Sequence, residues 1–266
     1  MTTQSVPAPA ALSREAPGLG GFNLTVLRLE IRRLLRNRRT VIFALIFPIV
    51  FFLAFGLNKA YASDPYGHGN VSAFVMISMA LYGAVLATTS GGAMVSIERA
   101  AGWSRQLRLT PLSPVAYIVI KMLTAMTLGL ASVVAVFVVG GLTGKPSMPI
   151  YLWIVSAASV WIGSLVFAAF GLFMGYLLPT ENVMQFLGLG LALLAFAGGL
   201  FIPLDQFPHI LQDIAQWTPL YGLNQLVHAP LHGVGVQWAW AVNAVAWLVI
   251  FTAGAVWRFR KDTARV

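Results

Sequence analysis

The sequence predicts an all-α membrane protein built as a bundle of six transmembrane helices. Of its 266 residues, 58% are hydrophobic and 9% are charged, and the mean hydropathy is +0.80. Because a soluble domain carries about 25% charged residues, this composition excludes a water-soluble globular fold. Intrinsic disorder needs few apolar residues and much charge, so it is excluded as well. The apolar residues form long continuous runs, and the basic residues collect on one side of them.

Six segments are long enough to cross a bilayer, which takes about 20 mostly apolar residues. These segments contain none of the short alternating stretches that are typical of barrel strands. The first contains Pro48, which a membrane helix tolerates better than a soluble one. To within a few residues at each end, the predicted spans are 41–57, 71–97, 115–142, 151–178, 183–204 and 238–257.

The distribution of lysine and arginine predicts the orientation. With both termini in the cytoplasm, only Lys59 and Lys145 of the 17 basic residues lie on the outer side. An excess of Lys and Arg on the cytoplasmic side is the usual determinant of membrane topology. The net charge of +9 therefore reflects topology, and no nucleic-acid partner is predicted.

The chain divides into four parts. Residues 1–21 are rich in Pro, Ala and Gly and lack the apolar core of a signal peptide, so a disordered cytoplasmic lead is expected. Residues 22–39 form an amphipathic helix, 40–260 the transmembrane domain, and 261–266 a cytoplasmic tail.

The segment 22–39 combines two helical patterns. Its apolar residues recur at helical spacing, and Arg28, Arg32 and Arg36 follow an i, i+4 line. Such a helix lies in the membrane interface, with its apolar side in the acyl boundary and its arginines toward anionic lipid headgroups. The alternative is a positively charged stop before the first span. The apolar positions are Leu24, Leu27, Ile31, Leu34 and Leu35.

Two connections are unusually apolar. In the inner segment 98–113, leucines alternate with arginines after Trp103, which favours a docking surface over a loop that serves topology alone. In the outer segment 205–235, apolar residues again recur at helical spacing between prolines. Short helices that dip into the outer leaflet or pack on the bundle would hide this surface.

No catalytic, nucleotide or metal site is predicted in this chain. The stretch GGLTGKPS (140–147) resembles a phosphate-binding loop, but its glycine spacing is one residue short and proline replaces the Ser or Thr that binds magnesium. His228 and His232 are four residues apart, but no carboxylate at matching spacing completes a metal site. With no cysteine, thiolate chemistry is also excluded.

Ionisable residues are nearly absent from the predicted spans. Lys121 lies near the cytoplasmic end of the third span, where its side chain is expected to extend toward the interface. The lack of charges midway through the membrane disfavours an ion-coupled transporter. Gly171 and Gly175 form a GxxxG motif that serves either packing within the chain or dimerisation.

Two groups of motifs carry a family resemblance. The inner connection contains ERAAGWSRQL (98–107) and TPLS (110–113), and the outer segment contains FIPL (201–204) and TPLY (218–221). With the basic amphipathic helix and the six spans, they make the chain resemble the membrane subunits of ATP-binding-cassette (ABC) exporters. The resemblance is to the type-2 permease family, which includes bacterial drug, antibiotic and polysaccharide exporters, and it covers roughly residues 22–260.

The resemblance implies roles for three groups of residues. The coupling segment, which would contact a separate ATPase subunit, contains Glu98, Arg99, Gly102, Trp103, Arg105, Leu107, Arg108 and Pro111. The connecting helix beside it contributes Leu27, Ile31, Arg28, Arg32 and Arg36. The outer gate contains Phe201, Pro203, Phe207, Pro219 and Tyr221.

The resemblance also implies an assembly and a location. Two permease copies, or this chain and a close relative, would enclose a path in the plasma membrane, with two ATPase subunits that bind ATP and Mg. No cofactor is expected in this chain. The implied cargo is hydrophobic or amphiphilic, with a drug or antibiotic favoured over a lipid or polysaccharide. An ion-coupled secondary transporter and a membrane-embedded enzyme are the alternatives from other classes.

Overall fold

A computed structural model describes residues 18–102, 112–179 and 183–264, and this part of the chain is largely helical. A short antiparallel hairpin, β1 (Pro65–Tyr66) and β2 (Gly69–Asn70), precedes the most buried of the long helices. The helices are α1 (Leu24–Arg36), α2 (Arg38–Phe51), α3 (Val71–Ala93), α4 (Val95–Ala100), α5 (Pro114–Thr143), α6 (Ile150–Gly163), α7 (Leu165–Leu177), α8 (Val183–Ala197), α9 (His209–Ala215), α10 (Pro219–His232) and α11 (Trp238–Ala264).

Four helical segments of the described chain are long and apolar enough to cross a membrane. Two of them each join a pair of consecutive helices, α3 with α4 and α6 with α7. A fifth is present if α1 and the helix that follows it count as one span, but these two are bent by 64°. An all-α, multi-pass membrane protein is therefore confirmed, whereas the six-span count stays a prediction. The four segments are Val71–Ala100, Val115–Thr143, Ile150–Leu177 and Trp238–Lys261.

The predicted fifth span, 183–204, is shorter than expected because a glycine ends it. Helix α8 stops at Ala197, and Gly199 adopts a left-handed conformation with φ +74°. The amide of Leu200 donates to the carbonyl of Ala195, as in a glycine-terminated helix. Residues 198–204 consequently leave the helix and fold back against the bundle.

Helix α3 is the centre of the bundle, and small residues let its neighbours approach closely. The most apolar part of this span is 83% buried, compared with 22–50% for the other three. On one side Gly129 of α5 packs on Thr88, and on the other Gly92 packs on Ala168 of α7. Because lipid is as apolar as a helix surface, such backbone-to-backbone packing holds membrane helices together.

The GxxxG motif serves this packing within the chain. A Cβ added at Gly171 would overlap the backbone oxygen of Thr89 and come within 2.7 Å of its Cα, and one at Gly175 would lie 3.0 Å from the oxygen of Ala93. Both glycines of α7 therefore face α3. Of the two alternatives for this motif, the structure supports contact within one chain.

Pro48 is accommodated by a hydrogen bond from a neighbouring helix. Proline has no amide hydrogen, so in α2 the carbonyl of Ala44 loses its usual donor. The hydroxyl of Ser132 on α5 donates to that carbonyl at 3.0 Å. Gly83 of α3 leaves room for the proline ring, since a Cβ there would lie 2.5 Å from Pro48 Cγ. The helix then continues as a π-helical turn, Phe52–Gly56.

Substituting Gly171 tests this packing. We expect Gly171→Ala to lower the thermal midpoint of the detergent-solubilised protein, because overpacking typically costs about 1–3 kcal/mol. The matched control is Gly188→Ala on α8, where an added Cβ has no atom within 4 Å. Equal midpoints for the two variants in a fluorescence-detected size-exclusion assay would contradict the close contact between α3 and α7.

Candidate coupling site

A buried ionic network joins α1, α4 and the beginning of α5. The carboxylate of Glu98 accepts hydrogen bonds from Arg33 Nη1 at 2.9 Å and Lys121 Nζ at 2.6 Å on its Oε1. Its Oε2 accepts the hydroxyl hydrogen of Tyr117 at 2.7 Å. Glu98 is only 4% exposed, so these three donors replace the water that an ionised carboxylate requires.

Lys121 is held by two carboxylates. Besides Glu98, its ammonium group donates to Glu30 Oε2 of α1 at 2.5 Å. Arg33 also lies 3.8 Å from Glu30 Oε1. The expectation that Lys121 extends toward the interface stays a prediction; the structure adds that its side chain is only 5% exposed and ends between two carboxylates.

The network is balanced in charge and tightly packed. Its two acids and two bases sum to zero net charge, which is the condition under which burial of ions is tolerated. The space left among these side chains is about 10 Å³, which is at most the volume that one water occupies. The network therefore links α1, α4 and α5 directly and has no room for a substrate.

The next residue, Arg99, connects the same end of the bundle to α7. Its Nη1 donates to the carbonyls of Gly175 at 3.2 Å and Tyr176 at 2.8 Å. These carbonyls lie at the end of α7, where backbone oxygens have no intrahelical donor and a cation is favourable. Arg258 of α11 also reaches the Tyr176 carbonyl, at 3.4 Å. One short segment thus contacts α1, α5 and α7 and lies beside α11.

The predicted coupling segment is only partly described. Glu98 and Arg99 end α4, and Gly102 turns the chain with φ +75°. The sequence predicts that the Glu98 carboxylate faces outward and contacts a partner. In the structure it is instead buried, because Arg33, Lys121 and Tyr117 surround it. The coupling role itself stays a prediction. Trp103, Arg105, Leu107, Arg108 and Pro111 lie outside the described residues.

The predicted amphipathic helix is present as α1, which packs on α5. Asn23 caps its beginning by accepting the amide hydrogen of Thr25 at 2.7 Å. Leu27 and Ile31 are half-buried, and Leu34 is fully buried, so this face meets the protein rather than acyl chains alone. The arginines Arg28, Arg32 and Arg36 are exposed, as are Leu24, Leu29 and Leu35.

The predicted gate residues are spread over several contacts. The ring of Phe201 packs on Tyr82 with centroids 5.1 Å apart, and Phe207 packs on Phe196 at 5.4 Å. Pro219 begins α10, capped by Thr218, and Tyr221 is half-buried beside it. Pro203 lines a cavity. The outer segment folds as the short helices α9 and α10; a gating role is not tested by this placement.

The sequence contained a signal for the ionic network that patterns within single segments could not reveal. Glu30, Arg33, Glu98 and Lys121 lie on three segments predicted for the same side of the membrane, and their charges balance. Tyr117 is uncharged, and it joins the ionic network because it lies one helical turn before Lys121 and so faces the same carboxylate of Glu98. Among the described residues, no group of three or more His, Asp or Glu is placed to bind a metal ion.

Comparisons with known proteins agree with this architecture. Residues 23–230 match the family described as ABC-2 type transporter. The chain is also 27% identical over 237 residues to "Putative transport permease YvfS" of Bacillus subtilis (strain 168), an alignment that covers 88% of this chain and 96% of the relative. The family match includes α1, α4, α5 and the segment between α4 and α5.

A double-mutant cycle tests whether Glu98 and Lys121 are a buried pair. Glu98→Gln removes one of the two negative charges that neutralise the Lys121 ammonium group. Removing one member of a buried ion pair costs about 3–5 kcal/mol of folding free energy. We expect the thermal midpoint of the purified protein to fall by roughly 5–15 °C. The double variant Glu98→Gln/Lys121→Met should recover at least half of that loss.

The exposed Asp213 supplies the control, since Asp213→Asn changes the same kind of charge without a buried partner. Additive losses in the double variant, or an unchanged midpoint for Glu98→Gln, would show that the two groups do not depend on each other.

Proposed function

Because the chain belongs to the ABC-2 type transporter family as a membrane-spanning permease subunit, we propose that it forms the outward path of an ATP-driven exporter. Members of this family work with an ATPase subunit. We place ATP and Mg on that separate chain, in two copies, and place a second permease beside this one, as a homodimer or a heterodimer. The complex would lie in the plasma membrane with both termini of this chain in the cytoplasm.

The Glu98 network is the observation that carries the proposal. The segment 103–111 is part of the connection between α4 and α5, and Ser113 caps the beginning of α5. A force on this segment would reach Glu98 and Arg99, which bond to α1, α5 and α7. In this mechanism, closure of the ATPase subunits on nucleotide pushes the segment, and the ionic network moves the helices as one unit.

The other end of the bundle supplies the proposed exit. Helices α9 and α10 follow α8 and precede α11 in the chain. Helix α10 packs on α3, α6 and α11. We propose that Phe201, Pro203, Phe207, Pro219 and Tyr221 form a gate that opens when α3 shifts. The cargo favoured by the apolar bundle is a hydrophobic or amphiphilic compound such as a drug or antibiotic, and lipid or polysaccharide export is the alternative.

Cysteine labelling tests the proposed orientation without background, because the chain has no cysteine of its own. We expect an impermeant thiol reagent to label Ser63→Cys in intact cells, since residue 63 is placed outside. Thr263→Cys should react only after permeabilisation. The reverse pattern would place the termini outside and overturn the proposed topology.

Affinity capture tests the proposed ATPase contact. Trp103→Ala should weaken capture of an ABC ATPase from native membranes, identified by mass spectrometry, because loss of an interfacial tryptophan typically costs about 2–4 kcal/mol. The thermal midpoint of the permease should not change. Trp238→Ala, which removes an exposed tryptophan from the predicted outer side, is the matched control. If Trp103→Ala captures as much ATPase as wild type, the segment does not carry the contact.

A further inference from the structure

The short turn Gly18–Gly21 lies against the beginning of α5. The amide of Ser113 donates to the carbonyl of Gly20 at 2.8 Å. Ser113 caps α5, since its hydroxyl accepts the amide hydrogen of Ala116 at 3.2 Å. The amide of a capping residue has no carbonyl partner within its own helix. The turn therefore supplies the acceptor that α5 cannot supply.

Position 20 requires glycine for two reasons. Gly20 has φ +62°, a left-handed conformation that residues with a side chain adopt at a cost. A Cβ added there would overlap Ser113 Oγ and lie 3.1 Å from Ser113 Cβ. Gly18, in the same turn, does not have a positive φ, and a Cβ added to it has no atom within 4 Å. The two glycines therefore differ in their dependence on Ser113.

The turn leads into α1, and α1 follows the first half of α5. Beyond the glycine contact, Glu30 accepts a hydrogen bond from Lys121, and Leu34 packs in one cluster with Leu128. These contacts occur in the same order along both segments. The turn and α1 together therefore form a continuous support beside α5.

This support holds both ends of the inner segment 98–113. At the beginning of the segment, Glu98 accepts a hydrogen bond from Arg33 of α1 at 2.9 Å. At its end, Ser113 donates to Gly20. The first contact belongs to the ionic network, whereas the second is a separate hydrogen bond between backbone atoms. The two ends of the segment are thus fixed to one element by independent interactions.

Fixed ends restrict the part of the segment that lies between them. The residues 103–111 belong to this part. A chain with two fixed ends has fewer conformations than one with a free end, so less entropy is lost when a partner orders it. Such preorganisation raises affinity without any additional contact to the partner.

We infer that Gly20 is a positioning residue for the ATPase contact. Its carbonyl fixes the end of the inner segment 98–113 that the ionic network does not reach, and it acts through Ser113. The inference rests on the proposed contact between residues 103–111 and an ATPase subunit. Gly20 and Ser113 are both half-buried, and loss of one such hydrogen bond has a modest effect on stability. Positioning and folding can therefore be measured separately.

Amide hydrogen exchange of the full chain in phosphatidylcholine–phosphatidylglycerol nanodiscs tests the contact itself. Gly20→Ala introduces backbone strain and an overlap with Ser113. We expect the Ser113 amide, resolved by electron-transfer fragmentation, to exchange about 3–10-fold faster than in the wild type. Gly18→Ala is the matched control and should exchange at the wild-type rate. Equal rates for the two variants would overturn the inference.

Capture of an ABC ATPase from native membranes tests the positioning role. We expect Gly20→Ala to capture about 3–10-fold less ATPase than Gly18→Ala, at an unchanged thermal midpoint. Equal capture by the two variants would contradict the role, and a loss that accompanies a lower midpoint would indicate a structural role alone. If Gly20→Ala is not monodisperse, Gly20→Asn replaces it in both assays, because asparagine tolerates the left-handed conformation better.

A second substitution locates the effect. Ser113→Gly removes the Cβ and Oγ atoms that the added methyl group would overlap, and it keeps the backbone amide. Glycine is also tolerated as a helix N-cap. The double variant Gly20→Ala/Ser113→Gly should therefore recover at least half of the lost capture. Without recovery, the loss does not pass through this contact and the inference is wrong.

The same capture assay separates this inference from the proposed function. If the wild type captures no ATPase, the proposed contact fails, and the positioning role fails with it. If Trp103→Ala lowers capture while Gly20→Ala captures as much as Gly18→Ala, the proposed contact stands and the positioning role alone is wrong.

Discussion

Close packing of small residues around α3 is the interaction on which the rest of the structure depends. Inside a bilayer the hydrophobic effect does not favour helix–helix over helix–lipid contact, so association relies on van der Waals packing and a few hydrogen bonds. The contacts of Gly129 with Thr88, Gly92 with Ala168 and Gly171 with Thr89 bring three backbones together. The same close approach allows Ser132 to compensate for the hydrogen bond that Pro48 removes.

The central helix separates two different polar environments. At one end, Glu98 lies in a charged network that is electrically balanced and almost without free space. At the other end, Phe74 lines a cavity whose polar lining includes Asn224, Gln225, His228 and His232, and Ser78 hydrogen-bonds to His228. Ions can be buried only with partners at contact distance, which favours a rigid joint. Neutral groups can be left around open space at lower cost than ions.

This separation has a mechanical consequence for a permease. Arg33 and Lys121 join α1 and α5 to Glu98 of α4, so these helices cannot shift independently of α4 without breaking ion pairs. The Lys121–Glu98 pair is buried, whereas the Arg33 side chain is 48% exposed. The contacts at the cavity end are aromatic and neutral and tolerate small shifts better.

The sequence by itself determined the membrane class, the longest spans, the amphipathic helix and the family, because hydropathy and charge are read residue by residue within one segment. It did not reveal the two acidic partners of Lys121, since Glu30 and Glu98 are distant from it in sequence. It also extended the fifth span too far, since the left-handed Gly199 depends on local backbone geometry. Only the tertiary structure decided which partner each charge of the network has, that Gly171 faces Thr89, and that the Asn224 amide nitrogen bonds to the carbonyls that end α8. Those features arise from groups on different helices at contact distance, and no periodicity within a single segment encodes that distance.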